Sequence, residues 1–312
     1  MGKTLIVLTG PTGVGKTALS LALSEALGSP IVNADSRQIY RELPIGTAAP
    51  TEEEQARVKH YFVGSHSVDE SYNAGEYERD AIALLEQLFA ERDVVVMAGG
   101  SMMYIDAVCN GLDEIPSGSK ELRATLQQEL GKKGIGWLQD EVKRLDPAYF
   151  TEADTQNPQR LLHALEVCLA SGKAYSSYRT GLKKERPFRV VKIGLTRPRE
   201  VLYERINARV HEMIESGLEA EVRHVEAKRA LNSLQTVGYK EMLKYIDGEW
   251  TLDEAIRMIQ QNSRHYAKRQ LTWYRADENV HWIDLETTST QDAIAEIMAL
   301  VNKNDNENDN KI

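Results

Sequence analysis

The octapeptide Gly10-Pro11-Thr12-Gly13-Val14-Gly15-Lys16-Thr17 decides the fold. It follows a short apolar run, Leu5-Ile6-Val7-Leu8, and leads into a helix-like segment from Ala18 to Leu27. Gly-x-x-x-x-Gly-Lys-Thr between a strand and a helix is the pattern of a phosphate-binding loop. Its glycines let backbone amides turn inward, and the helix N-terminus adds positive potential. Lys16 neutralises oxygens, and the Thr17 hydroxyl can ligate Mg²⁺. A structural Gly-rich turn is the plain alternative, and the strand before and helix after argue against it. The pattern leaves open whether a diphosphate or a nucleoside triphosphate is held.

Working outward, strand and helix alternate. Strand patterns fall at Ile31–Asn33, Asp93–Ala98, Arg189–Leu195 and Val280–Leu285, with helical patterns at Tyr77–Ala90, from Ser101, and at Arg199–Glu215. Strands spaced by helices imply a parallel sheet covered on both faces, with ligands at the carboxyl ends of its strands. Gly10, Asp35 and Ser101 would then share one rim. Between Pro116 and Pro187 the strand signal vanishes and helical periodicity dominates: Leu122, Leu126, Leu130, then Trp137, Leu138, Val142, Leu145, then Leu161 to Leu169. That stretch reads as a helical insertion between two sheet strands. A last helix is expected at Gln291–Val301, and the polar residues after it have nothing to bury.

Composition bounds the function. The 312 residues have a net charge of −9, which argues weakly against a nucleic-acid partner. The average hides asymmetry, because Arg257 to Arg275 holds five Lys/Arg and no acid, and a local basic face can bind polyanions. The longest clean apolar run, Val94 to Ala98, is far too short for a bilayer, so no membrane partner is expected. The strand and loop begin almost at Met1, where no signal peptide fits. Cys109 and Cys168 are isolated and read as reduced, buried thiols, so the expected location is cytoplasmic.

Several side chains admit two readings. Asp35 could ligate Mg²⁺ or accept a proton from a nucleophile, or it could only cap a turn or helix. Ser101 would cap the next helix and could still offer its hydroxyl to a ligand. Arg205 and Arg209, four apart on one helix face, could reach the phosphates or pair with Glu204 and Glu212. Ser263 to Arg275 interleaves Arg264, Lys268, Arg269 and Arg275 with Tyr266, Trp273 and Tyr274. That suits RNA, or a solvated amphipathic helix.

Six ordered stretches carry a resemblance: GPTGVGKT, NADSRQIYRELPIGTAAP, AGGSMMY, NPQRLLHALEV, QTVGYKE and SRHYAKRQLTWYR. Together they resemble the tRNA dimethylallyltransferase (tRNA isopentenyltransferase) family along nearly the whole chain. The resemblance implies the bacterial form, without the zinc-finger extension of eukaryotic relatives. The resemblance implies an α/β protein, a P-loop NTPase-like parallel sheet core with a helical insertion domain. The core would be residues 1–116 and 188–303, the insertion contacting tRNA 117–187, and 304–312 a disordered tail.

The implied reaction transfers the dimethylallyl group from dimethylallyl diphosphate to N6 of adenosine 37, beside the anticodon in tRNAs reading codons that begin with U. The flipped adenine would enter one end of a channel and the prenyl donor the other. Gly10, Pro11, Thr12, Gly13, Val14, Gly15, Lys16 and Thr17 would hold the diphosphate, with Mg²⁺ as cofactor on Thr17. Asp35 would be general base, Ser101 would position N6 or the diphosphate, and Arg209 would contact the diphosphate. Asp35, Ser36, Arg37, Gln38, Ser101, Arg123, Gln159, Arg160, Leu161, Leu162 and His163 would touch the anticodon stem-loop, as would Lys268 and Arg269. A monomer is expected. Two positions depart from the family pattern: Ser101 stands where Thr is usual and His163 where Arg is usual. A small-molecule kinase using ATP and a non-catalytic RNA-binding module are the alternatives.

Overall fold

The computed structural model describes residues 2–309. The chain falls into two compact units, Met1–Asn110 with Arg186–Ile312, and Gly111–Glu185. The first unit opens with β1 (Thr4–Thr9), α1 (Lys16–Leu27), β2 (Ile31–Asn33) and α2 (Glu52–Arg57). There follow β3 (His60–Tyr61), α3 (Ala74–Glu91), β4 (Val94–Ala98) and α4 (Met102–Asn110). The second unit holds α5 (Lys120–Leu145), α6 (Pro147–Glu152) and α7 (Pro158–Ser171). The first resumes with β5 (Arg189–Thr196), α8 (Arg199–Glu215), α9 (Leu218–Val225) and α10 (Tyr239–Ile246). It ends with α11 (Leu252–Arg275), β6 (Val280–Asp284) and α12 (Thr290–Asp309).

Six parallel strands make one sheet in the order β3-β2-β4-β1-β5-β6. β1 is buried on both faces, as an unbroken apolar strand in a parallel sheet must be. Leu5 and Val7 point into one core with Tyr77, Leu85, Val95 and Met97. Ile6 and Leu8 point into the other with Leu19, Leu23, Ile193 and Leu195. Each fully buried aliphatic side chain contributes about 1.5–3 kcal/mol relative to exposure, so the strand that carries the loop is firmly held. Both cysteines are free and buried, and burial pushes the Cys109 thiol up to about 12.

Several expectations need correction. The insertion begins at Gly111 rather than residue 117 and ends at Glu185. Within it α5 breaks at Gly134, where φ is 74°, so the predicted periodicity belongs to two helical stretches. Its core gathers Leu126, Leu138, Val142, Tyr149, Leu161, Leu162 and Leu165. Strand β3 went unseen because its two residues are too few to set a period of two. The last helix runs to Asp309 rather than Val301, since extending a formed helix costs little per residue. The remainder of the expected tail, residues 310–312, lies outside the described residues.

Candidate active site

Strand register builds the rim. Leu8 and Asn33 both pair with Ala98, so β1, β2 and β4 end within a residue of one level, and β5 runs two residues past the Gly194 that pairs with Thr9. The amide of Gly99 donates to the Leu8 carbonyl and that of Ser101 to Ala34, both at 3.1 Å. Gly10, Asp35 and Ser101 therefore stand on a common edge, as the sequence implies.

The phosphate loop follows β1 directly. Gly13 has φ 80°, and a Cβ there would lie 2.9 Å from Cγ1 of Ile206, so only glycine suits both the backbone and the approach of α8. Lys16 Nζ donates to the carbonyls of Gly10 at 2.9 Å and Pro11 at 2.8 Å. Burial, opposed by the charge of Asp35 and reinforced by Arg209, brings its pKa down to about 7. The amides at the start of α1 have no partner within the helix and are available to an anion. Thr12, expected to help hold the diphosphate, has its amide already engaged. Its N–H donates to Oε1 of Gln270 at 2.8 Å.

Asp35 fills the capping role that is one of its two readings. Its Oδ1 accepts from the amides of Arg37 at 2.9 Å and Gln38 at 3.4 Å, the geometry of a cap on a turn. Its Oδ2 takes no part in those bonds and remains for a second task. The Ser101 hydroxyl accepts from the Ser36 amide at 2.7 Å and donates to the Ser36 hydroxyl at 3.0 Å. Its expected place as a helix cap is thus taken by a link between the Asp35 turn and β4.

Both arginines of α8 turn to the loop rather than to glutamates. Arg205 Nε donates to the Gly13 carbonyl at 2.8 Å. Arg209 Nη1 donates to the Thr12 hydroxyl at 3.1 Å and Nη2 to the Thr47 carbonyl at 3.2 Å. Thr47 belongs to a loop held by Glu221, whose carboxylate accepts from the amides of Ile45 and Gly46. Gln38 commits both amide hydrogens to the Thr47 and Ala48 carbonyls, which leaves only its Oε1 for an RNA contact.

Lys268 and Arg269 are exposed on α11, with Trp273 beside them 47% exposed. Arg264 turns inward instead and donates to Asn207 at 2.6 Å. In the second unit Arg123 pairs with buried Glu166 while remaining 42% exposed. Gln159 and Arg160 are exposed at the start of α7. Leu161 and Leu162 correct the expectation of tRNA contact, because both are fully buried in the insertion core. His163 packs edge-on against Tyr175, and burial lowers its pKa, so the imidazole is neutral near pH 7.

Comparison with known proteins converges on one assignment. The family model described as IPP transferase matches residues 38–277. The chain belongs to the IPP transferase family. A tRNA dimethylallyltransferase 1 of Bacteroides thetaiotaomicron is 55% identical over 283 residues, 91% of this chain and 92% of that protein. The crystal structure of a full-length tRNA isopentenylpyrophosphate transferase from Bacillus halodurans superposes with a TM-score of 0.69 at 34% identity. It covers 96% of this chain and 95% of that one. A eukaryotic dimethylallyltransferase acting on tRNA shares the fold, with a TM-score of 0.80 at 23% identity over 97% and 80% of the two chains. With these neighbours, the six-stranded sheet is the P-loop NTPase-like core expected.

In this IPP transferase the donor set suits Mg²⁺ delivered with a phosphate ligand. Thr17 keeps a partly exposed side chain in the first turn of α1. Among the described residues no three His, Cys, Asp or Glu side chains gather as a metal-binding group. Mg²⁺ commonly takes one or two protein ligands and fills its shell with phosphate oxygens and water. Sequence reasoning missed Gln270 altogether and left Tyr266 between stacking on RNA bases and packing inward. The Tyr266 phenol hydrogen-bonds with Ser101, and burial, more than the Asp35 charge, raises its pKa. Tyr266, Gln270 and Tyr274 follow one another at intervals of four, a spacing that marks one helix face and could have exposed them.

Proposed function

We propose that this chain transfers the dimethylallyl group of dimethylallyl diphosphate to N6 of adenosine 37 in tRNAs reading codons that begin with U, releasing diphosphate. It acts as a cytoplasmic monomer on the anticodon stem-loop. Among the described residues no helix is long and apolar enough to cross a membrane. The carrying observation is the meeting of a phosphate loop, two half-buried cations and one carboxylate oxygen outside the turn's own bonds. Lys16 and Arg209 both feel the charge of Asp35.

The amine of adenine is a poor nucleophile, and flipping the base exposes it. Its nitrogen attacks C1 of the donor, the N6–C1 bond forms, and the C1–O bond breaks. Negative charge then gathers on the departing diphosphate. Lys16, Arg209 and the α1 amides are pre-set against that charge, which is the larger part of the catalysis. Mg²⁺, held by Thr17 and the diphosphate, would add Lewis-acid stabilisation of the leaving group. Asp35 Oδ2 accepts the N6 proton as the amine becomes acidic, so proton transfer is late. Ser101 and Ser36 hold the turn that aims Asp35. Arg37, Arg123, Arg160, Lys268 and Arg269 supply phosphate contacts. The eleven basic and eleven acidic residues between 111 and 185 balance, so the net negative charge lies elsewhere in the chain.

Mass analysis of tRNA nucleosides after incubation with dimethylallyl diphosphate and Mg²⁺ tests the proposal. The expected product is N6-(dimethylallyl)adenosine. Unmodified tRNA, with phosphate passed from labelled ATP to a small acceptor, would replace it by the kinase alternative. Unmodified tRNA that is nonetheless bound would leave an RNA-binding module.

A further inference from the structure

Gln270 is 2% exposed, although it lies between exposed Arg269 and half-buried Leu271 on α11. Both ends of its carboxamide are used. Oε1 accepts from the Thr12 amide at 2.8 Å, and Nε2 donates to the Gly100 carbonyl at 2.8 Å. Only an amide side chain offers a neutral acceptor and donor side by side, and asparagine is one methylene shorter. The fit is close, since a Cβ on Gly100 would lie 2.5 Å from Nε2. Thr12 in turn accepts from Arg209 at 3.1 Å through its hydroxyl. Arg209 has few other ties, and its buried Nε has no hydrogen-bond partner.

We propose that Gln270 is a positioning residue of the donor site. It brackets the phosphate loop to the Gly100–Ser101 turn, and through Thr12 it sets Arg209 against the diphosphate. The same helix presents Lys268, Arg269 and Trp273 on its exposed side, so the bracket joins the RNA-facing helix to the leaving-group site. This rests on the dimethylallyl-transfer reading above. Losing the carboxamide leaves the part-buried Thr12 N–H and the buried Gly100 carbonyl without their partner, and the loop relaxes to satisfy them.

The test uses the full chain with Gln270→Leu, Gly100→Ala, and the pair Gln270→Ala/Gly100→Ala. Folding is followed by circular dichroism, tRNA affinity by filter binding, and the donor site by the inhibition constant of inorganic diphosphate. In Gln270→Leu, diphosphate inhibition is expected to weaken about 10- to 100-fold, the span of one hydrogen bond acting on a charged group. kcat is expected to fall with it, while tRNA affinity stays within about twofold. Gly100→Ala should repeat the defect by pushing the carboxamide away. In the Gln270→Ala background the added methyl should cost less than about twofold more, because it no longer meets Nε2.

Folded variants with unchanged diphosphate inhibition and kcat would overturn the bracket. So would losses that only track the folded fraction. If Gln270→Leu does not fold, Gly100→Ala and the pair decide. If the unaltered protein transfers no prenyl group, the functional reading falls. The bracket is then judged by calorimetry of inorganic diphosphate, which needs no turnover.

Discussion

Arg209 donates to the Thr12 hydroxyl at 3.1 Å, which fastens a half-buried guanidinium to the phosphate loop without giving it a carboxylate. A second bond reaches the Thr47 carbonyl, and Nε has no partner. Burial lowers its pKa, against the opposing pull of Asp35. Such a group serves an incoming anion at the expense of the empty fold. Arg209→Met should leave the melting temperature equal or higher while donor capture falls about 10- to 100-fold. Thermal melts and donor titrations on one preparation check both halves.

Lys16 gives the counterpart in pH. Its pKa of about 7 lies below the ordinary 10.5, so between those values the unfolded chain holds a proton that the folded chain has released. Stability attributable to this group therefore rises with pH across that window, and below it the buried charge opposes folding. Donor capture runs the other way, since the diphosphate prefers the charged lysine. kcat/KM for the donor should fall as pH rises beyond about 7, whereas kcat stays flatter because bound diphosphate retains the proton. Lys16→Arg, charged throughout, should abolish that alkaline fall. Profiles at saturating tRNA decide the matter.

Asp35→Asn keeps an oxygen for the amides of Arg37 and Gln38, so the turn survives while the base is lost. Single-turnover transfer should slow about 10²- to 10⁴-fold, with tRNA affinity little changed. Near-normal turnover would remove Asp35 from the chemistry.

Lys268→Ala and Arg269→Ala should each flatten the dependence of log affinity for tRNA on log salt by about one unit, if each neutralises one phosphate. An unaltered slope would make that face of α11 ordinary solvated surface.

Leu161→Ala and Leu162→Ala should destabilise the insertion by about 2–5 kcal/mol, the cost of a cavity at a buried leucine. Arg160→Ala should instead leave stability intact and weaken tRNA binding. Urea titrations beside filter binding separate the two effects.

Much of this was legible from local pattern. Leu5–Leu8 before Gly10 announces a buried strand feeding a loop, and the helix from Arg199 to Glu215 is found where its periodicity puts it. The common rim follows from strand ends alone. What escaped depends on contacts remote in sequence. Nothing near Gln270 says that it faces Thr12, and nothing near Ser101 says that its hydroxyl serves Ser36. Leu161 and Leu162 were placed by resemblance to a motif, and helical phase would have sent them inward. Gln38 illustrates the same limit, because its partners Thr47 and Ala48 sit on a loop with no regular period.

The bond from Thr12 to Gln270 joins positions 258 residues apart. On a ribosome, where elongation proceeds at about 5–20 residues per second, the amino-terminal loop waits about 13–50 s for the glutamine that frames it. Messages cut short anywhere upstream of α11 would yield polypeptides that keep the glycine signature yet lack its brace.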